Sequence, residues 1–495
     1  MWFGKKSELE WREAFVAVVR RTLTKNEPSF EESCTALRNA NGMQLLEFDQ
    51  QARRSFSHFV TQRGVRSSAV LRTAMAEPGH ADVFLFYASC DGNGFIREQS
   101  LRALRGHAGK LACAAALLRT EDWVSQVAEI AARLLQDLAD TEAARHFFEL
   151  LDLIVAMQSR RRFVQYWSTL ESTLLAAKWR DARQEALSSS KAMARRLAHD
   201  LILRGDPDVA RDTLGLAITD PTPLVAHWAL AQLGDTLNPE EQEQLLREGL
   251  RSRLSSVRRD SLRRYCRSGF SDARQQLGIA LLDRSRSVRS VAAHHFKERF
   301  GESAIEYWRK AFDAGGHSEA TITAISDFGE AADETRLRNC LEHPRGRMRA
   351  LALRGLVRIG APDSEDLLNT ALTDKSAHVV GAATTGYARG IHTLSIENLQ
   401  RAFDLAETQS RRRRLIAASR LLGKWERLEF LLKLYPLCSG EERSHLDEAV
   451  QTWIAKANRS FVTPQPERRT IIAAALESAR NSHTAPHWEM VRHLL

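Results

Sequence analysis

One apolar pattern recurs along most of the chain. Similar segments follow one another at spacings of 28 to 34 residues, and they begin at Met193, Val225, Val257, Val288, Ala320, Met348, Val379 and Arg413. From Val225 onward, each segment has a small residue four positions after its start and a large apolar residue eight positions after it. Offsets of 0, 4 and 8 lie on one face of an α-helix, so each segment is predicted to be an amphipathic helix with a point of close approach at its middle.

A further helix is predicted before each of these helices. Before five of the starts, a leucine, a small residue and an isoleucine or leucine stand eleven, eight and seven positions upstream, as Leu277, Ala280 and Leu281 do before Val288. The stretch "NPEE" at 238–241 supplies a helix-start signal, with Asn238 as the cap and proline at the first helical position. The predicted unit is a helical hairpin of about 31 residues, and a fixed period of this length indicates an α-solenoid.

The turn between the two helices carries the pattern D-x-x-x-x-V-R-x-x-A, which is complete in "DRSRSVRSVA" at 283–292. Partial matches stand at 91–100, 220–229, 343–352 and 374–383. This pattern resembles the HEAT-repeat family, in particular the short bacterial HEAT-like repeats of the bilin-lyase type. The resemblance implies an all-α, right-handed α-solenoid of HEAT-like helical hairpins.

The same resemblance implies roles for two charged positions of the pattern. The aspartate would tie the turn, and the arginine after the apolar residue would bridge to the next repeat. The aspartates that match are Asp91, Asp220, Asp283 and Asp374, and the arginines are Arg97, Arg258, Arg289, Arg349 and Arg414.

The extent of the repeat pattern predicts three parts of the chain. Residues 1–80 are expected to be an N-terminal helical cap region that is off the period, with the capping-box starts "SELE" at 7–10 and "SFEE" at 29–32. Residues 81–455 are expected to form the HEAT-like repeat solenoid. Two prolines in "VTPQPERR" at 462–469 break the pattern, so 456–495 are expected to form a C-terminal helix and a tail.

Composition favours an ordered helical protein of a reducing compartment. The chain has 495 residues, of which 43% are hydrophobic and only 12 are proline. Its six cysteines are scattered without a CxxC pair, which is expected of buried thiols rather than of a disulfide framework. No apolar stretch is long enough to span a bilayer and no apolar run follows the first lysines, so we expect a cytoplasmic protein without a membrane segment.

Positive charge is concentrated in one segment. The chain carries a net charge of +9, and residues 245–300, with 14 basic and 5 acidic residues, account for all of it. In HEAT-like arrays the second helices generally line the concave face, where offsets 2, 6 and 9 to 10 point away from the core. The residues so placed include Arg259, Arg263, Cys266 and Arg267 in one repeat, and His294 and Lys297 in the next. This basic patch indicates an anionic partner, unless its arginines form salt bridges between neighbouring repeats.

No catalytic or metal-binding motif is evident. The patterns GxxxxGK[ST], GxSxG, HExxH and GxGxxG are absent, and "DGNGFI" at 91–96 lacks the terminal carboxylates of an EF-hand loop, so it is predicted to be a turn between helices. Adjacent residues of a helix point about 100° apart, so we expect His294 and His295 to share no metal.

The sequence therefore favours a non-enzymatic scaffold without a cofactor. It would bind a macromolecular partner, most simply a protein with an acidic segment, through a curved surface. Two alternatives remain open: nucleic-acid binding through the phosphate backbone at the basic patch, 247–299, and, by resemblance alone, a HEAT-like enzyme such as a DNA glycosylase or a bilin lyase.

Overall fold

The computed structural model describes residues 30–63, 68–315, 318–457, 459, 462–485 and 487–495. These residues form thirty α-helices, and no β-strand is found among them. The chain divides into two compact units, Met1–Phe270 and Ser271–Leu495. The predicted all-α fold class is confirmed, whereas the predicted start "SELE" lies outside the described residues.

The described helices of the first unit are sixteen in number. They are α1 (Phe30–Asn39), α2 (Gly42–Arg63), α3 (Ser68–Ala76), α4 (Ala81–Ser89), α5 (Gly94–Leu104), α6 (Lys110–Arg119), α7 (Ser125–Ala139), α8 (Arg145–Glu149), α9 (Leu151–Gln158), α10 (Val164–Leu175), α11 (Arg180–Glu185), α12 (Ala192–Gly205), α13 (Ala210–Ile218), α14 (Pro223–Thr236), α15 (Pro239–Leu250) and α16 (Ser255–Ser268).

The described helices of the second unit are fourteen in number. They are α17 (Ala273–Leu281), α18 (Arg286–Phe300), α19 (Ala304–Asp313), α20 (Glu319–Phe328), α21 (Glu334–Asn339), α22 (Gly346–Ile359), α23 (Ser364–Leu372), α24 (Ala377–Ala388), α25 (Ile396–Asp404), α26 (Gln409–Ala418), α27 (Lys424–Leu434), α28 (Gly440–Ala457), α29 (Pro466–Ser482) and α30 (Trp488–Leu494). None of the described helices has the length and apolar character needed to cross a membrane.

Helices pack on their neighbours in the chain in the manner of stacked hairpins. In the first unit α13 pairs with α14 and α15 with α16, while α13 packs on α15 and α14 on α16. In the second unit the hairpins run from α17–α18 to α25–α26, and the second helices α18, α20, α22, α24 and α26 pack in succession. This nearest-neighbour packing is that of an α-solenoid, so the predicted hairpin is confirmed within each unit.

The apolar stripe of the second helices is buried as the period predicts. Small residues at offset 4 have a relative exposure of 0% in six repeats, namely Ala229, Ser261, Ala292, Ala324, Ala352 and Ala383. The predicted start of α15 is also present, because Asn238 Oδ1 accepts from the N–H of Glu241 at 3.0 Å and Glu241 Oε2 accepts from the N–H of Asn238 at 3.2 Å.

The last repeat departs from the predicted register. Arg411 and Leu415 of α26 and Ser419, directly after it, are buried, whereas Arg413 and Ala417 are exposed. The predicted start at Arg413 is therefore two residues too late. A run of four arginines leaves no apolar residue before Leu415 to mark the register of this helix.

Arginine–aspartate pairs join consecutive repeats. Arg97, Arg195 and Arg349 each hydrogen-bond through Nε and NH2 with the aspartate 25 positions further on, at 2.7 to 3.0 Å; these aspartates are Asp122, Asp220 and Asp374. In all three, NH1 donates to the carbonyl six residues upstream at 2.8 Å. The bridging role implied for Arg97 and Arg349 is therefore confirmed, and Arg195 is a further member of the series.

The bridging role implied for Arg414 is wrong. Its side chain is exposed, and Arg412 acts in its place, donating from Nε to the carbonyl of Ala406 at 2.9 Å and pairing with Glu442 at 3.4 Å. The displaced register of α26 accounts for the exchange. In the first unit, Asp91 and Asn93 form the expected turn between α4 and α5, where Asp91 Oδ1 accepts from the N–H of Asn93 at 2.7 Å.

Candidate functional site

A cavity of about 490 Å³ lies among the second helices α18, α20 and α22 of the second unit. We call it the arginine pocket. Its lining includes seven arginines and three acidic residues, which leaves an excess of four positive charges; they are Arg284, Arg286, Arg289, Arg347, Arg354, Arg358 and Arg389, with Asp283, Glu319 and Asp327. An excess of this kind in a concave site attracts anions.

Helical periodicity brings the lining residues of α22 to one face. Arg347, Leu351, Arg354 and Arg358 follow at spacings of four, three and four residues, which keeps them on a single side of the helix. Leu351 is buried and supplies an apolar wall, while Arg354 is exposed at the mouth of the pocket. The α-helix thus presents a row of guanidinium groups on a rigid support.

Two of the acidic residues are already paired with arginines. The buried Arg289 pairs with Asp327 and donates from NH1 to the carbonyl of Asp283, and Arg347 pairs with Glu319 at 2.5 Å. Gly315 stands five positions before Ala320, where the turns at Asp220 and Asp374 have their aspartate. Arg289 therefore bonds to Asp327 on α20, which places a half-buried charge pair in the wall of the pocket.

Four arginines of the pocket have no carboxylate partner within the described residues. They are Arg286, Arg354, Arg358 and Arg389. Arg358 donates from Nε to the carbonyl of Ser326 at 2.7 Å and from NH2 to that of Gly329. Arg286 lies over the ring of Phe328, 5.4 Å from its centroid. Arg354 and Arg389 are exposed, and in the described part of the chain their side chains form no hydrogen bond or ion pair.

The electrostatics of Arg358 show how crowded the positive charge is. Burial lowers the pKa of its guanidinium, and the neighbouring Arg286 and Arg389 lower it further, against the opposite effect of Asp327 and Asp333. Carbonyl groups hold the guanidinium in place without neutralising it. An anion bound beside it would reduce this repulsion.

Two buried polar atoms of the lining have no hydrogen-bond partner among the described residues. Ser326 is 5% exposed and its Oγ bonds to nothing, and the Nε of Arg289, which is 1% exposed, is likewise unsatisfied. An unmade hydrogen bond on a buried group costs about 1 to 3 kcal/mol, so such atoms are usually satisfied by water or a ligand.

The predicted site residues Arg259, Arg263 and Arg267 lie on α16 of the first unit. Arg263 and Arg267 line a second cavity of about 360 Å³, and Arg263 pairs there with Asp260 at 3.3 Å. Arg259 does not line it. Cys266 was expected to face away from the core, but it is only 1% exposed, because it stands four residues after the buried Leu262 on the same face of the helix.

The other two predicted residues, His294 and Lys297, lie on α18 of the second unit but outside the arginine pocket. Lys297 is exposed and forms no ion pair with any described residue. His294 is exposed and His295 is buried, as their different directions predict, but the expectation that they could share no metal is not borne out by the geometry. Glu298 lies one turn further along, so its Oε2 approaches His294 Nε2 at 3.4 Å and His295 Nδ1 at 3.0 Å, and the three groups lie within 4.8 Å of one another.

The arginines that sequence reasoning missed obey its own offset rule. Arg354 and Arg358 stand at offsets 6 and 10 from Met348, and Arg389 stands at offset 10 from Val379. The net charge is concentrated in residues 245–300, so charge alone does not direct attention to these later repeats. The same rule in the two later repeats would have identified the row on α22.

Comparison with known proteins gives a distant likeness only. No family model matches the chain, and no curated protein matches it. Among solved structures, Kap121p bound to RanGTP is 14% identical, with 84% of this chain and 51% of that chain covered and a TM-score of 0.29. A complex of Kap95p with RanGDP is 11% identical over 97% of this chain and 62% of that chain, with a TM-score of 0.25. The chain thus spans about half the length of Kap121p. A circular tandem repeat protein is 13% identical, with 99% of this chain and 94% of that chain covered and a TM-score of 0.12.

Proposed function

We propose that this chain is a cytoplasmic, non-enzymatic HEAT-like scaffold that binds an acidic segment of a partner protein. The arginine pocket is the centre of the binding surface in the second unit. The observation that carries the proposal is the presence in one cavity of four arginines without a carboxylate partner among the described residues. Guanidinium groups bind carboxylates through paired, charge-assisted hydrogen bonds, so an acidic segment would supply what the lining lacks.

The support of the pocket suits binding rather than chemistry. Its residues stand on packed helices whose small residues, such as Ala324 and Ala352, are fully buried, so little rearrangement is needed to present the arginines.

The cysteines of the chain are all buried, and burial raises the pKa of Cys34 and Cys113 to about 12. A thiol with so high a pKa is a poor nucleophile at neutral pH.

Affinity purification tests the proposal. The tagged protein is recovered from its host with and without nuclease, alongside a variant that carries Arg354→Glu and Arg389→Glu. A matched control carries Arg413→Glu and Arg414→Glu, which are exposed in the same unit and lie outside the pocket. We expect the unmodified protein and the control to retain one stoichiometric protein through nuclease treatment, and the pocket variant to lose it.

Folding and location are controlled separately. The substituted arginines are exposed, so both variants should keep the helical circular dichroism and a Tm within a few degrees of the unmodified protein. The captured protein should contain an acidic segment, and its deletion should abolish binding. If nuclease treatment abolishes recovery of the captured material, a nucleic-acid partner would be favoured instead. Loss of the partner from an Arg259→Glu, Arg263→Glu, Arg267→Glu variant alone would place the site in the first unit.

A further inference from the structure

We infer that the arginine pocket accepts a phosphoryl group, carried by a phosphorylated side chain of the partner segment. The inference rests on the proposed function and names the chemistry that this surface selects. It would make capture of the partner dependent on phosphorylation.

The charge of the pocket exceeds what one carboxylate can neutralise. Seven arginines face three acidic residues, and Asp327 and Glu319 are held in pairs with Arg289 and Arg347. A phosphorylated side chain brings about −1.5 to −2 charges at neutral pH on a single group, whereas Asp or Glu brings one. In so small a volume a phosphorylated side chain offsets more of the excess positive charge of the pocket than a carboxylate does.

The donors of the pocket converge from two helices and a helix end. Arg286 comes from α18, Arg354 and Arg358 from α22, and Arg389 from the residue that follows α24. Arg358 is held by carbonyl groups through Nε and NH2, and its NH1 forms no hydrogen bond within the described residues. Its free edge is thereby fixed in orientation before a ligand binds. Arginine clusters of this kind recognise phosphorylated side chains because the three phosphoryl oxygens accept several hydrogen bonds at once.

Two buried donors belong to residues of the lining. Ser326 Oγ and Arg289 Nε lack hydrogen-bond partners in the described structure, and both residues line the cavity. Each could donate to an oxygen acceptor, but both atoms are shielded from water, so a bound anion would be contacted by the exposed arginines instead.

The size and lining of the pocket disfavour a nucleic acid as the source of the phosphoryl group. A volume of about 490 Å³ is that of a small-ligand site and holds one phosphorylated residue with its neighbours. None of the described lining residues is aromatic, so no aromatic ring is available there for a base to stack on. Single-stranded nucleic acids are usually held by such stacking, together with a basic groove that follows several phosphates.

The test uses three fluorescent peptide libraries of equal length, with degenerate flanks and a fixed central residue. The central residue is phosphoserine, glutamate or serine. Binding of each library to the full-length protein is measured by fluorescence anisotropy. The variant Arg354→Gln, Arg389→Gln removes two exposed arginines of the pocket, and Arg413→Gln, Arg414→Gln is the matched control. Inorganic phosphate and a single-stranded oligonucleotide serve as competitors.

We expect the phosphoserine library to bind at least about tenfold more tightly than the glutamate library, since additional charge-assisted hydrogen bonds are formed. The pocket variant should lose this preference and the control should keep it. Inorganic phosphate should compete with the library.

Equal binding of the phosphoserine and glutamate libraries, lost in the pocket variant, would overturn the phosphoryl inference and leave the acidic-segment function intact. Binding of the oligonucleotide in preference to every peptide would overturn both. If inorganic phosphate raises the Tm of the unmodified protein but no library binds, the pocket takes a free anion, and the inference of a phosphorylated partner is wrong.

Discussion

The pairs that join consecutive repeats should stabilise the second unit in proportion to their burial. Arg349 and Asp374 form two hydrogen bonds of 3.0 and 2.7 Å, and their side chains are 18% and 20% exposed. Arg274 and Glu302 form two bonds of 2.7 and 3.0 Å with the same geometry, but their side chains are 62% and 38% exposed. The two pairs therefore differ in solvent access rather than in the number of bonds.

The expected magnitude follows from this difference. Removing one partner of a fully buried pair costs about 3 to 5 kcal/mol, and partial exposure reduces this through solvent screening. We therefore expect Asp374→Ala to lower the free energy of unfolding of the second unit by about 2 kcal/mol, a value that includes loss of the bond from the N–H of Ser376 to Asp374 Oδ1 at 2.6 Å. The coupling between Arg274 and Glu302 should be much smaller, because both groups remain hydrated.

Double-mutant cycles in urea measure both couplings. Each cycle compares the two single alanine variants and the double variant, and both pairs belong to the second unit, so the same unfolding transition reports on them. Equal coupling energies, or a larger one for the exposed pair, would refute the reasoning that burial decides the strength of these pairs.

The pH dependence supplies a second criterion. Burial opposes ionisation of Asp374, but the hydrogen bonds from Arg349 and from the N–H of Ser376 outweigh it and lower the pKa of the carboxyl. The stabilisation should therefore be complete above the unfolded pKa of about 4 and decline as the pH falls through the lowered value. An advantage over Asp374→Ala that persisted undiminished at the lowest pH would contradict this assignment.

Two further predictions concern burial. Ala352→Leu should destabilise the second unit by about 1 to 3 kcal/mol in urea unfolding, because the fully buried methyl group lies where helices pack most closely. Ala417→Leu should be nearly neutral, since that side chain is exposed. Similar losses of stability at both sites would mean that the buried face is misassigned. Burial lowers the pKa of His199 to about 4, so between about pH 6.5 and pH 4 this histidine is protonated in the unfolded state but not in the folded state. The free energy of unfolding should therefore fall as the pH drops below about 6.5, by at most about 1.4 kcal/mol per pH unit. Urea titrations at pH 7 and pH 5 should show a smaller acid loss for His199→Leu, and an unchanged loss would rule out this group as a cause.

The sequence determined the helices, their order and their buried faces. Offsets of 0, 4 and 8 are encoded within a single helix, so the burial of Ala292 or Ala352 could be predicted without knowledge of neighbouring repeats. Where the local signal failed, in the arginine run at 411–414, the register was wrong by two residues. The capping box of Asn238 was likewise predictable, because all of its atoms lie within one turn of helix.

The tertiary structure alone decided the charge contacts that depart from the regular repeat. Arg349 finds Asp374 at the regular distance of 25 residues, but Arg289 bonds to Asp327, 38 residues away, because Gly315 stands where an aspartate would have received it. The arginine pocket likewise collects residues from 282 to 389, beyond the segment where the net charge is concentrated. Helical periodicity is a property of the local backbone, whereas the side chains that share a cavity depend on how successive helices are stacked. That stacking is set by contacts between residues that are distant in the sequence. The buried face of each helix can therefore be predicted from the sequence, whereas the side chains that line a shared cavity depend on tertiary packing.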